Sequence, residues 1–538
     1  MMQLPFFRFA PHQLNGYLSA MQALKLPIGI QSFHSIRSEG YHYVDKTQLV
    51  HQLVSSGKYI FLSRPRRFGK SLLVSTLQEL FLGNKSLFEG LWIADKWDWK
   101  PHPVILIDFN LMEYKTQPLE VALARQMDQN AEAHGVVLSA ENFKDKFDEL
   151  FTLLFANGQQ VVVLIDEYEK PITDFLGEDE EKMLLHVDTL RNFFSVLKSR
   201  DAAIRFAFLT GVSKIGKMGV FSGLNNVRDI TMLRQFSALC GYTQNELEAN
   251  FPQELDSCMD VFHMDREELL GAVKKWYNGY SWDGLTPVYN PFSILNFLGA
   301  QRFANFWFET GTPTFLVRKV REGFVLPQDL DQLRGNELML DAATPHSLGT
   351  LALLFQTGYL TIKSIEGPPT DRSIHLGFPN FEVRDSFLRY LLSEYKNLPP
   401  DQLEVEVVAR MKEALRAGDL AAFFQIIRTV FASVPYPVFK THEDYFHALM
   451  HVVLVLTGMM VQAEAPTNRG RIDQVLETGD RIYLFEYKLD GTPEEALAQI
   501  RQMGYAEKYH LSNKPITLVG IAFSTADRNI AAWKEVPL

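Results

Sequence analysis

Four short apolar runs rich in β-branched and aromatic residues punctuate the first half of the chain: KYIFLS (58–63), PVILIDF (103–109), VVVLIDEY (161–168) and RFAFLTG (205–211). Between them lie longer stretches with helical spacing, such as SLLVSTLQELFLG and LRNFFSVLKSR. A strand that is apolar at every position has no solvent face, so this alternation predicts an α/β fold: a parallel sheet covered on both sides by helices. Residues 27–240 therefore read as a nucleotide-type domain preceded by an N-terminal extension, 1–26.

The first run leads into RPRRFGKS, and Gly69-Lys70-Ser71 is how a phosphate-binding loop closes before its helix. Backbone N–H groups there would face phosphate oxygens, Lys70 would reach the β and γ phosphates, and Ser71 would hold Mg2+. The usual Walker A glycine is replaced by Arg64, and Arg66 and Arg67 follow. A residue with negative φ is tolerated at that position, so the pattern weakens while the anion cradle remains. The third run ends in Asp166-Glu167, a Walker B arrangement in which Asp166 holds the Mg2+ shell and Glu167 polarises the attacking water. Two acids at the tip of a buried strand are costly unless they serve a cation or a partner; the bland alternative is a solvated loop pair. Beyond the fourth run, Thr210, Ser213 and Lys214 sit where a γ-phosphate sensor would, or are ordinary polar residues at a strand end.

Residues 241–434 read as a mainly helical middle region with aromatic loops, KKWYNGYSWDG and VYNPFSILNFL, a small sheet near TGYLTIKSI, and an exposed turn at EGPPTDRS (366–373). The aromatic loops could stack bases, but Trp276, Tyr277 and Tyr280 lie among apolar residues and read better as packing anchors. From 435 to 538 the order αββαβ describes a small separate domain. Its hairpin, GRIDQVLETGDRIYLFEYKL, places Glu486 and Lys488 on one face of a strand. A turn centred on Thr478-Gly479 pairs residues whose numbers sum to 957, which sets Asp473 opposite Leu484 and diagonal to Glu486. Two carboxylates and an ammonium suit Mg2+-dependent hydrolysis of a phosphodiester. The competing readings are an exposed Glu–Lys face and a zinc site from Glu443, His447 and His451 on one helix.

At 538 residues the chain is too long for one core, and its 46% hydrophobic content suffices for several. A net charge of −11 argues against a surface that binds nucleic acid through overall positive potential, though not against a local basic groove. Two cysteines need no disulfide framework, no signal-peptide core forms at the N-terminus, and no run is long enough to span a membrane. A cytoplasmic protein is expected.

RPRRFGKSLL, LIDEYEKPI and FLTGVSKIGKMGVFSGLNN, with GYHYVDKT, WYNGY, YNPFSIL and ETGTPTFL, resemble the AAA-ATPase-like family of bacterial and archaeal proteins, which often carries a nuclease-like domain of the PD-(D/E)XK superfamily at its C-terminus. The resemblance runs from about residue 27 to the end. It implies a P-loop domain that binds ATP and Mg2+, with Arg64, Arg66, Arg67 and Phe68 belonging to a variant phosphate loop. Glu169 stands where the family more often has Asp. In the C-terminal domain it implies Glu443 and Asp473 as metal-side acids, Glu486 as a metal ligand, Lys488 as the catalytic lysine and Gln499 as a helper on the following helix. The function expected is an ATPase whose nucleotide state gates a Mg2+-dependent nuclease acting on DNA or RNA. The alternative is a nucleotide-dependent interaction or nucleic-acid-binding protein with an inactive nuclease-like domain. Either is compatible with a homo-oligomer that completes its ATP site with a neighbour's arginine.

Overall fold

The first apolar run forms β1 (Tyr59–Ser63), buried at every residue. The computed structural model describes residues 25–538 except 177, 215–216, 222–223, 225, 308–332, 342–349, 369–371, 397–404, 433–442, 468–469 and 513; the residues 1–24 and the string ETGTPTFL (309–316) lie outside it, as does part of EGPPTDRS. The other runs form β2 (Val104–Asp108), β3 (Val161–Asp166) and β4 (Ile204–Gly211). With the two-residue β5 (Arg228–Asp229) they make a parallel sheet in the order β2-β3-β4-β1-β5. Ser63 lies beside Gly211 and Asp108 beside Asp166, so the strands end level at one edge. Ligands of open α/β sheets bind at that edge, where the loops open.

Helices α1 (Lys70–Phe81), α2 (Leu119–Ala133), α3 (Phe143–Phe155) and α4 (Glu180–Ser199) flank the sheet. In α1 the buried Leu73, Val74, Leu77, Leu80 and Phe81 recur at helical spacing and form its sheet-facing stripe. Each such side chain contributes about 1.5–3 kcal/mol when removed from water. Among the described residues no helix is long and apolar enough to cross a membrane.

Helices of the middle region, including Arg266–Tyr277 and Pro291–Ala300, surround a second core built on Leu247, Val273, Tyr277 and Phe297. The small sheet expected there is β6 (Leu333–Gly335), β7 (Thr361–Glu366) and β8 (Ser373–Gly377), ordered β6-β8-β7. Its aromatic loops fold inward: Phe68 of the phosphate loop meets Tyr280 edge-on at 4.7 Å and Trp282 at 5.4 Å, and Trp276 meets Phe381 at 4.7 Å. Gly358, at φ +90°, lets a helix end close on the loop, since a Cβ there would come within 2.6 Å of Pro65.

The C-terminal unit consists of α5 (Glu443–Leu456), β9 (Met460–Pro466), β10 (Arg471–Glu477), β11 (Ile482–Leu489), α6 (Pro493–Gln502), β12 (Ile516–Ser524) and β13 (Asn529–Pro537). Its mixed sheet runs β13-β12-β11-β10-β9. The expected αββαβ order is its interior, and β9 and β13 are two further strands at the edges. The hairpin register differs from the expected one by two: Gln474 faces Phe485 and Glu477 faces Ile482, so paired numbers sum to 959. The cause is local. The turn spans Thr478–Arg481, closed by Thr478 N–H donating to the Arg481 carbonyl at 2.9 Å and Arg481 N–H donating to Thr478 Oγ1 at 3.1 Å. A shift of two keeps every side chain on its face, and continuing the register brings Asp473 level with Glu486 instead of diagonal to it.

A continuous apolar core runs from β1 through Leu353, Phe387 and Phe424 to Tyr487 and Phe523. The sheet of the first half and the sheet of the C-terminal unit are thus joined through packed middle-region helices.

Candidate functional sites

At the first sheet's edge Gly69 caps α1 at φ +86°, and Arg67 before it stands at φ +67°. The loop borders a cavity of about 510 Å3 lined by Arg66, Arg67, Lys70 and Ser71 on one side and by Asp108 and Glu167 on another. Lys70 is buried and its Nζ donates to the Pro65 carbonyl at 3.1 Å, across the loop. The Ser71 hydroxyl donates to Asp166, which lies beneath it and is 3% exposed. Burial pushes the Asp166 carboxyl up to about 6, against the pull of Ser71 and Lys70 and with a further push from Glu167 and Asp108. Glu167 sits at φ +51° with its N–H donating to Asp166 Oδ1 at 3.0 Å. Two non-glycine residues in the left-handed region within one site store backbone strain of about 1–3 kcal/mol each, which clusters where function needs it. Crowded acids opposite several cations fit a nucleotide triphosphate and its magnesium ion.

Other residues of the loop and sheet edge point elsewhere. Arg64 is fully buried: its guanidinium donates to the carbonyls of Ser63, Thr231 and Phe236 and lies 3.8 Å from the Trp282 ring centroid, facing the interior instead of the cavity. Phe68 is a packing wedge between Tyr280 and Trp282. Thr210 is buried with its hydroxyl donating to Leu62 in the neighbouring strand at 2.8 Å. The Ser213 N–H donates to the Glu169 carboxylate at 3.1 Å, and its carbonyl accepts from Tyr168. Lys214 pairs with Asp229 at 2.9 Å. For Arg64, Thr210 and Lys214 the reason is common: neighbouring strands and loops offer these polar groups partners. Glu169, likewise buried, is pushed up to about 7 by burial and by Glu167 while its Oε1 accepts from the Val212 and Ser213 N–H groups.

In the C-terminal sheet β11 carries Glu486, 1% exposed, and Lys488, whose Nζ lies 3.6 Å from Glu486 Oε1. Asp473 on β10 is half-buried; its N–H donates to the Glu486 carboxyl and its Oδ2 accepts the Tyr487 N–H at 2.7 Å. Glu486 Oε2 is buried with no hydrogen-bond partner. Burial, reinforced by Asp473 and opposed by Lys488, holds the Glu486 carboxyl well above the usual carboxylate range. An orphaned carboxylate oxygen beside a second carboxylate fits a hard divalent cation that keeps several waters. Gln499 on α6 is hydrogen-bonded to Tyr505, whose hydroxyl lies in the field of both acids. Glu443 opens α5, and its side chain lies outside the described residues. Among the described residues no group of three or more His, Cys, Asp and Glu is arranged to hold a metal. His451 is buried, with its pKa lowered to about 3 by burial and by Arg384, and His447 stands edge-on to Tyr487 at 4.8 Å. Nothing among the described residues supports the zinc reading, whose third ligand, Glu443, has its side chain outside them.

Comparison with known proteins agrees with the two halves. Residues 27–221 match a family described as "Predicted AAA-ATPase", and residues 441–533 match the PD-(D/E)XK nuclease superfamily. Over 524 residues the chain is 40% identical to the "Uncharacterized protein in vnfD 5'region" of Azotobacter chroococcum mcd 1, covering 95% of this chain and 99% of that one. The chain belongs to the AAA-ATPase-like family. Among solved structures, Cdc6p from Pyrobaculum aerophilum is similar at a TM-score of 0.27 and 11% identity, covering 64% of this chain and 93% of its own. The ORC2 protein of Aeropyrum pernix, in ADPNP-ADP complexes, gives 0.25 and 12%, covering 64% and 92%. At those scores the two likenesses add nothing to the description of this AAA-ATPase-like chain.

Sequence reasoning passed over Asp108, Asn110, Lys170, Pro27, Gly29, Ile30 and Gln31, all of which line the cavity at the loop, as do Tyr242, Phe292 and Leu295. Asp108 carried a signal: PVILIDF ends in an acid just as VVVLIDE does, and parallel strands in register place the two aspartates side by side. Tyr505 in the nuclease-like half was also passed over, because no spacing rule ties it to Gln499.

Proposed function

We propose that this chain binds and hydrolyses ATP at the parallel-sheet edge and cleaves nucleic-acid phosphodiesters at the C-terminal hairpin, with the nucleotide state gating the cleavage. The division of labour follows the segments 27–240, 241–434 and 435–538. The observation that carries the reading is the convergence of Asp473, Glu486 and Lys488 at one strand end, with a buried carboxylate oxygen left over. Asp473 and Glu486 would hold Mg2+, which supplies positive charge to a phosphodiester oxygen. Lys488 then orients the attacking water and donates to the phosphate, while Gln499 and Tyr505 brace the site from α6 and the turn beyond it. At the other site Lys70 and the loop N–H groups take the phosphates, Ser71 and Asp166 hold the ion, and Glu167 accepts the water's proton. Two free, buried cysteines fit a reducing cytoplasm.

Support for gating comes from direct contact between the middle region and both sites. Trp307 Nε1 donates to the Arg66 carbonyl of the phosphate loop at 3.1 Å, and Trp307 N–H donates to Glu382 at 2.7 Å. Glu382 opens the helix Phe381–Lys396, which packs on α5. From α5, His447 meets Tyr487, whose hydroxyl donates to Gln474 at 2.6 Å and whose N–H donates to Asp473.

The test is incubation of the purified chain with single- and double-stranded DNA and RNA, with Mg2+ or Mn2+, with and without ATP. Lys488→Ala should lose cleavage and keep ATP binding, and Lys70→Ala should lose nucleotide binding. Cleavage by Lys488→Ala at the wild-type rate overturns the catalytic assignment. Nucleotide-dependent binding without cleavage by the wild type establishes the interaction-protein reading instead.

A further inference from the structure

The three arginines of the loop have gone three different ways. Arg64 spends its donors on interior carbonyls. Arg66 lines the cavity with its carbonyl pinned by Trp307, and its charge acts on Tyr359. Arg67 lines the cavity, is exposed, and makes no ion pair among the described residues; its guanidinium rests over the Phe292 ring, 4.8 Å from the centroid.

On the ATP reading of this cavity, on which the inference rests, we propose that Arg67 is the arginine that neutralises the γ-phosphoryl charge during hydrolysis, supplied in cis so that no second copy completes the site. P-loop ATPases need such a charge and frequently take it from a neighbouring subunit. Here it is already in the loop. Arg67 is held on the half-buried Phe292 ring only by a cation–π contact, whereas a guanidinium on phosphate oxygens makes bidentate, charge-assisted bonds, so phosphate displaces Phe292. The backbone supports the assignment. Arg67 occupies the left-handed region at φ +67°, two residues before Gly69 at φ +86°, a conformation that an L residue rarely adopts and that clusters at functional sites. The other cation lining the cavity from outside the loop, Lys170, faces Asp174 at 3.7 Å and lies beside Asp108.

In the step, the water oxygen bonds to the γ-phosphorus while the bond from that phosphorus to the β–γ bridging oxygen breaks. ADP leaves with the electron pair, and the water's proton passes to Glu167. Arg67 forms no bond and bears only on the charge of the phosphoryl oxygens.

The test uses the full chain and two readouts. Equilibrium binding of ADP and of a non-hydrolysable ATP analogue is measured for the wild type, Arg67→Ala and Arg67→Gly, the last relaxing the backbone so that misfolding is controlled. Both variants should bind ADP within about twofold of wild type and the analogue about tenfold more weakly, one charge-assisted contact. Hydrolysis by both should fall on the order of 10^3-fold. Wild-type specific activity should be flat across protein concentration, and mixing Arg67→Ala with Lys70→Ala should restore nothing. Recovery on mixing assigns the arginine to a neighbour and overturns the proposal, as does an equal loss of ADP and analogue affinity, or hydrolysis at the wild-type rate. A wild type that binds both nucleotides without hydrolysing either overturns this inference and leaves the binding site intact; one that binds neither removes the ATP reading itself.

Discussion

Arg64 stands where a phosphate loop has glycine, and its side chain leaves the loop for the interior, donating to three carbonyls and stacking on Trp282. Burial lowers its pKa to about 10, so it stays charged at neutral pH. Truncation strands those carbonyls and opens a void, a class of loss of about 3–5 kcal/mol. Arg64→Ala should therefore lower unfolding free energy in denaturant by about that amount, while its folded fraction binds ADP within about twofold of wild type; a tenfold loss of ADP affinity at unchanged stability would return Arg64 to the phosphate site. The sequence places Arg64 in the loop but cannot show its direction, because Thr231, Phe236 and Trp282 are distant along the chain. Glu486 makes the opposite case, legible by its two-residue spacing from Lys488. Its folded pKa lies above its ordinary value of 4.5, chiefly through burial. The fold then binds the proton more tightly than the unfolded chain, so stability is fully present below 4.5 and falls as pH rises toward the folded value. Glu486→Gln in chelator should match wild type near pH 4 and exceed it by about 1–3 kcal/mol at pH 8. Mg2+ should raise the wild-type Tm by more than the variant's, which keeps only the ion site at Ser71 and Asp166. An identical stability difference at both pH values would mean that Glu486 is not the group titrating.

At the scale of elements, what the chain declares is what periodicity encodes. The four apolar runs are strands because an unbroken apolar run admits burial on both faces, and α1 follows its glycine with a stripe of Leu and Val at helical spacing. The edge strands β9 and β13 escape that reading: β13 buries only Ile530 and leaves Ala531, Ala532, Lys534 and Glu535 exposed, a pattern that a surface loop shares. The hairpin's face was legible and its register was not, since the register depends on which hydroxyl closes the turn, and Thr478 does so. The dock between a middle-region helix end and the phosphate loop is another contact without a sequence signal. Gly358 at φ +90° leaves no room for a methyl group against Pro65. Gly358→Ala combines a left-handed backbone with overpacking, and should cost about 2–3 kcal/mol in denaturant unfolding. Because Pro65 also supplies the carbonyl that receives Lys70, the same variant should weaken ADP binding measurably. Full stability with unchanged affinity would show that the helix end yields freely and does not set the loop's shape.

Over the whole molecule, the two sites belong to one packed body, and the middle region is the material between them. Sequence patterning identifies its helices without telling which faces they bury or that one indole spans two elements. Trp307 does so, donating from its ring to Arg66 and from its backbone to Glu382. Contact becomes coupling only when each site changes the other's affinity, and linkage makes the two changes equal. If nucleotide alters nucleic-acid affinity by some factor, nucleic acid must alter nucleotide affinity by the same factor, typically about 5–150-fold. The measurement uses Lys488→Ala, so that the nucleic acid is bound and not consumed, and titrates each ligand with the other absent and saturating. Adding Trp307→Phe keeps the aromatic packing and the backbone donor to Glu382 while deleting the ring donor to Arg66. Both factors should then fall together toward one, with each ligand's affinity measured alone within about threefold of the parent. Two unequal factors would signal that one ligand occupies both sites, and equal factors that survive the loss of the indole would move the coupling off Trp307 and onto the remaining loop contacts at Gly358 and Phe68.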